Sequence, residues 1–180
     1  MEDIFSTKER LEILETIIYR TDSIGVNTVA NQLKLSKGLV SKYFDILAKA
    51  GVSRKVSGKC IISRSPMVKG IRILMNLRRI DPGMFKKYPF IKSAGLYGSS
   101  AKGENAGASD IDLWLHAGPA SGEKLAPLSE ELHRKIKNIK ILLLTDSKIE
   151  KLKKEDIAFY NSLVYGSVII YPDSNCTALL

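Results

Sequence analysis

The sequence is poor in cysteine and has no long apolar run. Cys60 and Cys176 are the only cysteines among the 180 residues, and their spacing matches no metal-ligand pattern. We therefore expect two reduced thiols, with neither a disulfide nor a zinc site. The apolar runs fall far short of the roughly 18–20 residues that span a bilayer, and the N-terminus lacks the features of a secretory signal. These absences predict a cytoplasmic protein with no membrane partner.

Positive charge is in excess and is unevenly distributed along the chain, whose net charge is +9. Residues 1–65 hold 11 Lys/Arg against 7 Asp/Glu, residues 66–93 hold 7 against 1, and residues 94–180 hold 10 against 11. The whole excess lies in the first 93 residues. This favours nucleic-acid contact in the first half and separate chemistry in the second, although a mildly basic solvated surface would give the same counts.

The most informative segment is residues 98–112, Gly-Ser-Ser-Ala-Lys-Gly-Glu-Asn-Ala-Gly-Ala-Ser-Asp-Ile-Asp. Asp110 and Asp112 belong to an alternating run that predicts a half-buried strand with both carboxylates on one face. Neighbouring carboxylates suit Mg²⁺, which binds one or two of them together with substrate phosphates. Trp114 shares that strand face, where it could stack on a nucleotide base or belong to the core.

A glycine-serine turn precedes the two acids. Gly98 has no Cβ and lets the backbone approach a phosphate closely. Ser99 adds a hydroxyl donor and Lys102 a positive charge, on a short helix whose first N–H groups favour anions. A Gly-Ser turn alone is usually only a turn, and an Asp-x-Asp pair alone is usually a solvated strand end. Their combination favours a nucleotide site.

The pattern Gly-Ser-x-Ala-Lys-Gly, five residues, then Ser-Asp-Ile-Asp-Leu resembles the signature of the minimal nucleotidyltransferases of the polymerase-β-like superfamily. The resemblance implies a mixed α/β domain, with a small mixed sheet flanked by helices, that transfers a nucleotidyl group from a nucleoside triphosphate such as ATP. It implies that Gly98, Ser99, Lys102 and Ser109 bind the nucleotide, while Asp110 and Asp112 are catalytic and hold Mg²⁺ or Mn²⁺. Residues 159–171 also resemble the C-terminal helix and short strand of these domains.

One position departs from the family pattern. The family normally uses a third carboxylate on a later strand, here predicted at residues 139–144, and Lys140 stands where that acid would align. A lysine would repel a second metal ion, so the domain would catalyse weakly or not at all. Asp146, at the end of the same strand, is the alternative third carboxylate.

The first 64 residues predict three helices followed by a β-hairpin. Ser36 is expected to cap the third helix, which ends near Ala50, and residues 52–62 predict a hairpin that turns at Ser57 and Gly58. The helical spacing predicts that the third helix buries Leu39, Tyr43, Ile46, Leu47 and Ala50.

This order of elements resembles a winged helix-turn-helix domain. The resemblance implies double-stranded DNA as a partner, contacted from the third helix and the hairpin by Lys37, Ser41, Lys42, Arg54, Lys55 and Lys59. Winged helices also dock proteins, and they often pair. Protein docking and a homodimer therefore stay open.

The chain thus predicts a winged helix-turn-helix domain at residues 1–64, a linker helix and connection at 65–90, and a nucleotidyltransferase-like domain at 91–180. The sum resembles archaeal-type fusions of these two domains. It implies a DNA-binding protein that transfers nucleotidyl groups to an unknown acceptor. The alternative is a transcriptional regulator whose nucleotidyltransferase-like domain is weak or inactive and serves nucleotide sensing or dimerisation.

Overall fold

The structure is a computed structural model that describes residues 2–107, 109–119 and 122–171. The chain divides into two compact units, Met1–Arg72 and Ile73–Leu180. No helix within the described ranges is long and apolar enough to cross a membrane. Cys60 is a buried free thiol, while Cys176 lies outside the described residues.

The first unit holds helices and a three-stranded antiparallel sheet. A 3-10 helix, Glu2–Ile4, precedes α1 (Lys8–Ile17), α2 (Val26–Leu33) and α3 (Lys37–Lys49). The strands are β1 (Ile24–Gly25), β2 (Ser53–Val56) and β3 (Lys59–Ile62), in the order β1-β3-β2. The boundary between the units falls within α4 (Pro66–Arg78).

Helix α3 begins where predicted but buries a face rotated from the predicted one. The Ser36 hydroxyl accepts a hydrogen bond from the Leu39 amide at 3.2 Å. The buried side chains are Val40, Tyr43, Phe44 and Leu47, whereas Leu39, Ile46 and Ala50 are only half-buried. Apolar residues occupy both adjacent stripes, so helical spacing alone could not distinguish them.

Strands β2 and β3 form the predicted hairpin. Val56 pairs with Lys59, which leaves Ser57 and Gly58 as a two-residue loop. Both loop residues have positive φ, 50° and 73°. Two-residue hairpin loops with positive φ at both positions match the twist of the flanking strands.

The second unit contains a four-stranded mixed sheet flanked by helices, as predicted. Its strands are β4 (Ile91–Leu96), β5 (Ile111–Ala117), β6 (Ile139–Leu144) and β7 (Val168–Tyr171). Its helices, besides a 3-10 helix over Pro82–Lys87, are α5 (Gly98–Lys102), α6 (Gly122–Lys135), α7 (Asp146–Glu155) and α8 (Ile157–Gly166). The strand order is β6-β5-β4-β7, in which only β5 and β6 are parallel.

The alternation along β5 separates two apolar cores. Ile111, Leu113, Leu115 and Ala117 pack in one cluster with buried residues of α6. Trp114, on the opposite face, packs with Leu144, Ile149 and Leu163. Asp112 has the same strand parity as Trp114 and therefore lies on the face covered by α7 and α8.

Trp114 is a core residue. Its ring is fully buried, and its Nε1 donates a hydrogen bond to Ser167 Oγ at 2.9 Å. A Cβ at Gly95 on the neighbouring strand would lie 2.7 Å from the Trp114 ring. The sheet therefore requires a glycine beside this tryptophan, and stacking of Trp114 on a nucleotide base is excluded by its burial.

We predict that Gly95→Ala lowers the free energy of unfolding by about 1–3 kcal/mol, because the added methyl group forces a buried, rigid ring to move. The matched control is Gly118→Ala, where the new Cβ would meet its nearest neighbour at 3.6 Å and should cost about 0.5 kcal/mol or less. Urea denaturation followed by circular dichroism measures both. An equal loss of unfolding free energy in the two variants would contradict the close contact between Gly95 and the Trp114 ring.

Candidate active site

The two acids and the glycine-serine turn lie at the same edge of the mixed sheet. Leu96, the last residue of β4, pairs with Leu113 of the antiparallel strand β5. Gly98 and Ser99 open α5 just after β4, and Asp112 is the second residue of β5. The antiparallel pairing therefore places the turn beside the acids.

The turn contacts Asp112 directly. Ser99 Oγ donates a hydrogen bond to Asp112 Oδ2 at 3.4 Å, and the Tyr97 amide donates to the Asp112 carbonyl oxygen at 3.1 Å. Gly98 has a φ of +59°, and a Cβ there would lie 3.1 Å from Asp112 Oδ2. Both the positive φ and the crowding favour glycine at this position.

Ser100, at the variable position of the motif, holds the backbone of both acids. Its hydroxyl accepts a hydrogen bond from the Asp112 amide at 3.0 Å and donates to the Asp110 carbonyl oxygen at 3.3 Å. Ser100 is fully buried, so these two bonds satisfy a hydroxyl that water cannot reach. A serine at a variable position gives no sequence signal for this role.

A reciprocal amide pair supports the backbone of Ser100. Asn76 Nδ2 donates to the Ser100 carbonyl oxygen at 2.8 Å and to Asn105 Oδ1 at 3.0 Å. Asn105 Nδ2 in turn donates to Asn76 Oδ1 at 3.1 Å, and both asparagines are buried. Sequence reasoning missed this pair. Its only signal is a polar residue directly after the apolar residue Met75 in the amphipathic helix.

Burial and neighbouring charges set the ionisation of Asp112. Burial raises the pKa of its carboxyl group, whereas the Ser99 hydrogen bond and the charge of Lys140 lower it and the charge of Asp110 raises it. The net effect is a raised pKa. A nearby cation would favour the charged carboxylate and offset this cost.

Lys140 lies directly opposite Asp112 across the parallel pair of β5 and β6. It is exposed, and its charge acts on the Asp112 carboxylate. Among residues 2–107, 109–119 and 122–171, no three His, Cys, Asp or Glu side chains form a group suited to a metal ion. The described site therefore offers two carboxylates and an ammonium group.

Asp146 does not supply a third carboxylate, and that alternative was wrong. Its carboxylate accepts from Lys92 Nζ at 2.8 Å and lies 2.7 Å from His116 Nε2. His116 follows Asp112 by four residues on β5, a separation of about 13 Å along a strand. Because β6 runs parallel to β5, Asp146 follows the end of β6 that lies farthest from the two acids.

The remaining residues of the predicted nucleotide site are Lys102 and Ser109. Lys102 is exposed at the end of α5. The Ser109 amide donates to the Ala106 carbonyl oxygen at 2.9 Å, and the Ser109 hydroxyl accepts from the Ala106 amide at 3.0 Å. Ser109 therefore shapes the loop that leads to Asp110.

The donor set at Asp110 and Asp112 fits one hard divalent cation. Both residues offer carboxylate oxygens, which Mg²⁺ and Mn²⁺ bind in preference to softer ligands. Mg²⁺ sites commonly use one or two carboxylates and complete their coordination with water and substrate phosphates. Burial raises the pKa of the Asp112 carboxyl group, and a bound cation would favour its charged form.

The residues predicted to contact DNA lie on the first unit. Lys37 and Lys42 are exposed on α3, and Ser41 between them is half-buried. Arg54 and Lys55 of β2 and Lys59 of β3 are exposed on the hairpin. Lys55 Nζ lies 2.5 Å from Asp45 Oδ1 of α3, so one hairpin cation is already paired.

Comparisons with known proteins identify the family of residues within the second unit. No curated protein matches the chain. A solved structure described as a "putative nucleotidyltransferase from Sulfolobus solfataricus" is 18% identical, with 59% of this chain and 86% of that chain covered and a TM-score of 0.38, too low to establish the fold. Residues 83–175, more than half of the chain, match the family described as "Polymerase beta, Nucleotidyltransferase". Through these residues, the chain belongs to the polymerase beta nucleotidyltransferase family.

Proposed function

We propose that the second unit binds a nucleoside triphosphate, ATP first, together with one Mg²⁺ or Mn²⁺ at Asp110 and Asp112. The observation that carries the proposal is the contact between the Gly98-Ser99 turn and the Asp112 carboxylate. A phosphate chain that follows such a turn reaches the carboxylates that hold its cation. When bound, the cation supplies charge that favours displacement at phosphorus.

The residues of the turn take separate roles in this proposal. Gly98, which has no Cβ, lets the backbone of the turn approach a phosphate closely, and Ser99 can turn its hydroxyl from Asp112 to a phosphate oxygen. Lys102, exposed nearby in the chain, adds a positive charge that favours the triphosphate. In nucleotidyl transfer the acceptor's oxygen bonds to the α-phosphorus, and the bond from that phosphorus to the leaving pyrophosphate breaks.

Because Lys140 stands where a third carboxylate would align, the proposed function has two possible forms. In the first, the protein is an enzyme that works with a single divalent cation, and transfer to an acceptor is slow. In the second, the domain binds nucleotide without transfer, and the protein is a regulator that senses nucleotide or dimerises through this domain. The family match supports the first form, whereas the ammonium group opposite Asp112, which repels a second cation, supports the second.

We also propose that residues 1–64 form a winged helix-turn-helix domain that binds double-stranded DNA, followed by a connection at 65–90 and the nucleotidyltransferase domain at 91–180. Three helices, a hairpin with a two-residue loop and exposed cations on α3 and on the hairpin support this proposal. In such domains the third helix enters the major groove. Lys37, Ser41 and Lys42 would then contact DNA from α3, and Arg54, Lys55 and Lys59 from the hairpin.

Replacing both acids, Asp110→Asn with Asp112→Asn, is expected to weaken Mg–ATP binding by more than about tenfold, because each change removes a charged metal ligand. Titration calorimetry measures the affinity. The matched control is Glu123→Gln with Glu155→Gln, which removes two exposed acids of the same unit and should leave binding unchanged. Equal affinity in both double variants would contradict the cation site.

The unsubstituted protein and these two double variants also distinguish an enzyme from a regulator that only binds nucleotide. Each is incubated with labelled nucleoside triphosphates, Mg²⁺ or Mn²⁺, and a mixture of DNA, RNA and protein acceptors. Label transfer by the unsubstituted protein, lost in the Asp110 and Asp112 variant, supports the enzyme. Nucleotide binding without any transfer supports the regulator.

Lys140→Asp is expected to raise Mn²⁺ binding from one ion to two per chain, because it replaces a repelling ammonium group with a third carboxylate. Free Mn²⁺ measured by electron paramagnetic resonance gives the stoichiometry. Lys140→Gln removes the charge without adding a ligand and should keep one ion. Lys140→Gln should also raise the pKa of Asp112, since the charge of Lys140 lowers it. As the pH is lowered, Asp112 should therefore become protonated, and Mn²⁺ affinity should begin to fall, at a higher pH than in the unsubstituted protein. If Lys140→Asp still bound one Mn²⁺ per chain, the placement of residue 140 beside the two acids of the metal site would be contradicted.

Duplex DNA binding is expected to weaken with salt, and Lys37→Ala with Lys42→Ala should reduce the slope of log affinity against log salt by about 2. Gel shifts at several salt concentrations measure this slope. Lys8→Ala with Lys124→Ala removes two exposed lysines outside the predicted surface and serves as the control. Binding that responds neither to salt nor to Lys37 and Lys42 would count against DNA contact by α3.

A further inference from the structure

A cavity of about 390 Å³ opens within the second unit, where β5 and β6 begin. It lies between the loop that leads into β5 and the C-terminal end of α6. Its lining residues are Arg79, Gly107, Ser109, Lys135, Ile136, Lys137 and Asn138. No carboxylate is among them, although three of the seven carry positive charge.

The positive charge of the cavity is only partly compensated. Glu131 accepts an ion pair from Lys135 at 3.0 Å, and its pKa is about 2, chiefly because of hydrogen bonds from Lys135, Lys87 and Tyr88. Lys135 is thus paired, although it shares this single carboxylate with Lys87, which lies 3.1 Å from Glu131 Oε1. In the part of the chain that the structure describes, Lys137 has no ion pair within 4.0 Å. Arg79 also lines the cavity and already interacts with another group of the protein. A guanidinium carries five N–H donors, so it can contact phosphate oxygens in addition to a protein partner.

The backbone fixes the rim of this cavity. Asn138 adopts a φ of +56°, a left-handed conformation that asparagine tolerates better than most residues. Its carbonyl oxygen accepts a hydrogen bond from the Ile111 amide at 2.7 Å. This bond ties the segment that carries Lys137 to the first residue of β5.

The cavity also adjoins the acid pair. Ser109, one of its lining residues, immediately precedes Asp110, and consecutive Cα atoms are about 3.8 Å apart. On the other side of Asp110, Ile111 bonds to the cavity residue Asn138. A molecule in the cavity therefore lies next to the backbone of a proposed metal ligand.

We propose that this cavity binds a phosphate group of the acceptor substrate and so holds that substrate beside Asp110, an inference that rests on the enzyme form of the proposed function. The triphosphate is assigned to the Gly98-Ser99 turn, whereas the cavity offers a second cationic surface at the same edge of the sheet. Its volume exceeds that of one phosphate and lies in the range of ligand sites. The phosphate belongs either to a nucleic-acid backbone or to a small phosphorylated molecule.

The test is a residue-specific binding measurement on the full chain. Amide resonances of Gly107, Ser109, Lys137 and Asn138 are followed by ¹⁵N nuclear magnetic resonance in two titrations, one with glycerol 3-phosphate and one with a six-residue oligothymidylate. Shifts in these amides with either probe support the cavity, and the probe that binds more tightly identifies the source of the phosphate. No shift with either probe overturns the proposal.

The variant Arg79→Gln with Lys137→Gln is expected to weaken binding of whichever probe shifts the amides by about tenfold or more. A tenfold loss is the low end of the effect expected when a hydrogen bond to a charged group is removed. Lys124→Gln, at the opposite end of α6, is the control and should change nothing. Dispersed amide spectra of all variants confirm folding. Equal affinity in the double variant and the control overturns the proposal.

Failure of this inference can be distinguished from failure of the proposed function. The Asp110 and Asp112 double variant should lose Mg–ATP binding yet keep the phosphate-induced shifts, whereas the Arg79 and Lys137 variant should show the reverse. If the Arg79 and Lys137 variant loses Mg–ATP binding equally, the cavity belongs to the nucleotide site and the acceptor assignment is overturned.

Discussion

The close approach of the Gly98 turn to Asp112 is the constraint on which the candidate site depends. The antiparallel pairing of β4 and β5 brings the end of one strand to the start of the other, and the absent Cβ at Gly98 lets them meet. Ser100 then ties the backbone of both acids to the turn. The sheet, the turn and the carboxylates are therefore joined by hydrogen bonds and close contact.

Electrostatics at this edge of the sheet limit how much positive charge the two acids attract. The two acids lie close enough for Asp110 to raise the pKa of Asp112, while Lys140 acts in the opposite direction. A lysine in this position already supplies one positive charge to the pair, which lowers the attraction left for cations. With an ammonium group opposite Asp112, the proposed single-cation site would lack the symmetric clamp of two-metal sites.

The sequence predicted the features that depend on short-range patterns. The alternation in residues 110–115 predicted a strand, the apolar run at 139–144 predicted another, and Ser57 with Gly58 predicted the hairpin turn. The family resemblance also placed Lys140 on the strand beside Asp112. These succeed because strand alternation and turn chemistry are local properties of the chain.

Features set by tertiary packing could not be predicted in this way. The buried face of α3 differs because two apolar stripes competed, and only packing selects Phe44 over Ile46. Asn76 and Asn105 are separated by 29 residues, and neither carries a local sign of its partner. Asp146 was misassigned because strand parity says nothing about how far along a parallel pair a residue lies.

Trp114 has a further consequence for the study of the two units. It is the single tryptophan of the chain, is fully buried and bonds to Ser167 through its indole nitrogen. Its emission spectrum therefore reports on the integrity of the mixed sheet alone, since the first unit contributes only tyrosines and phenylalanines as aromatic residues. Comparing that emission with a signal from the whole backbone would show whether the two units lose their structure together or in succession.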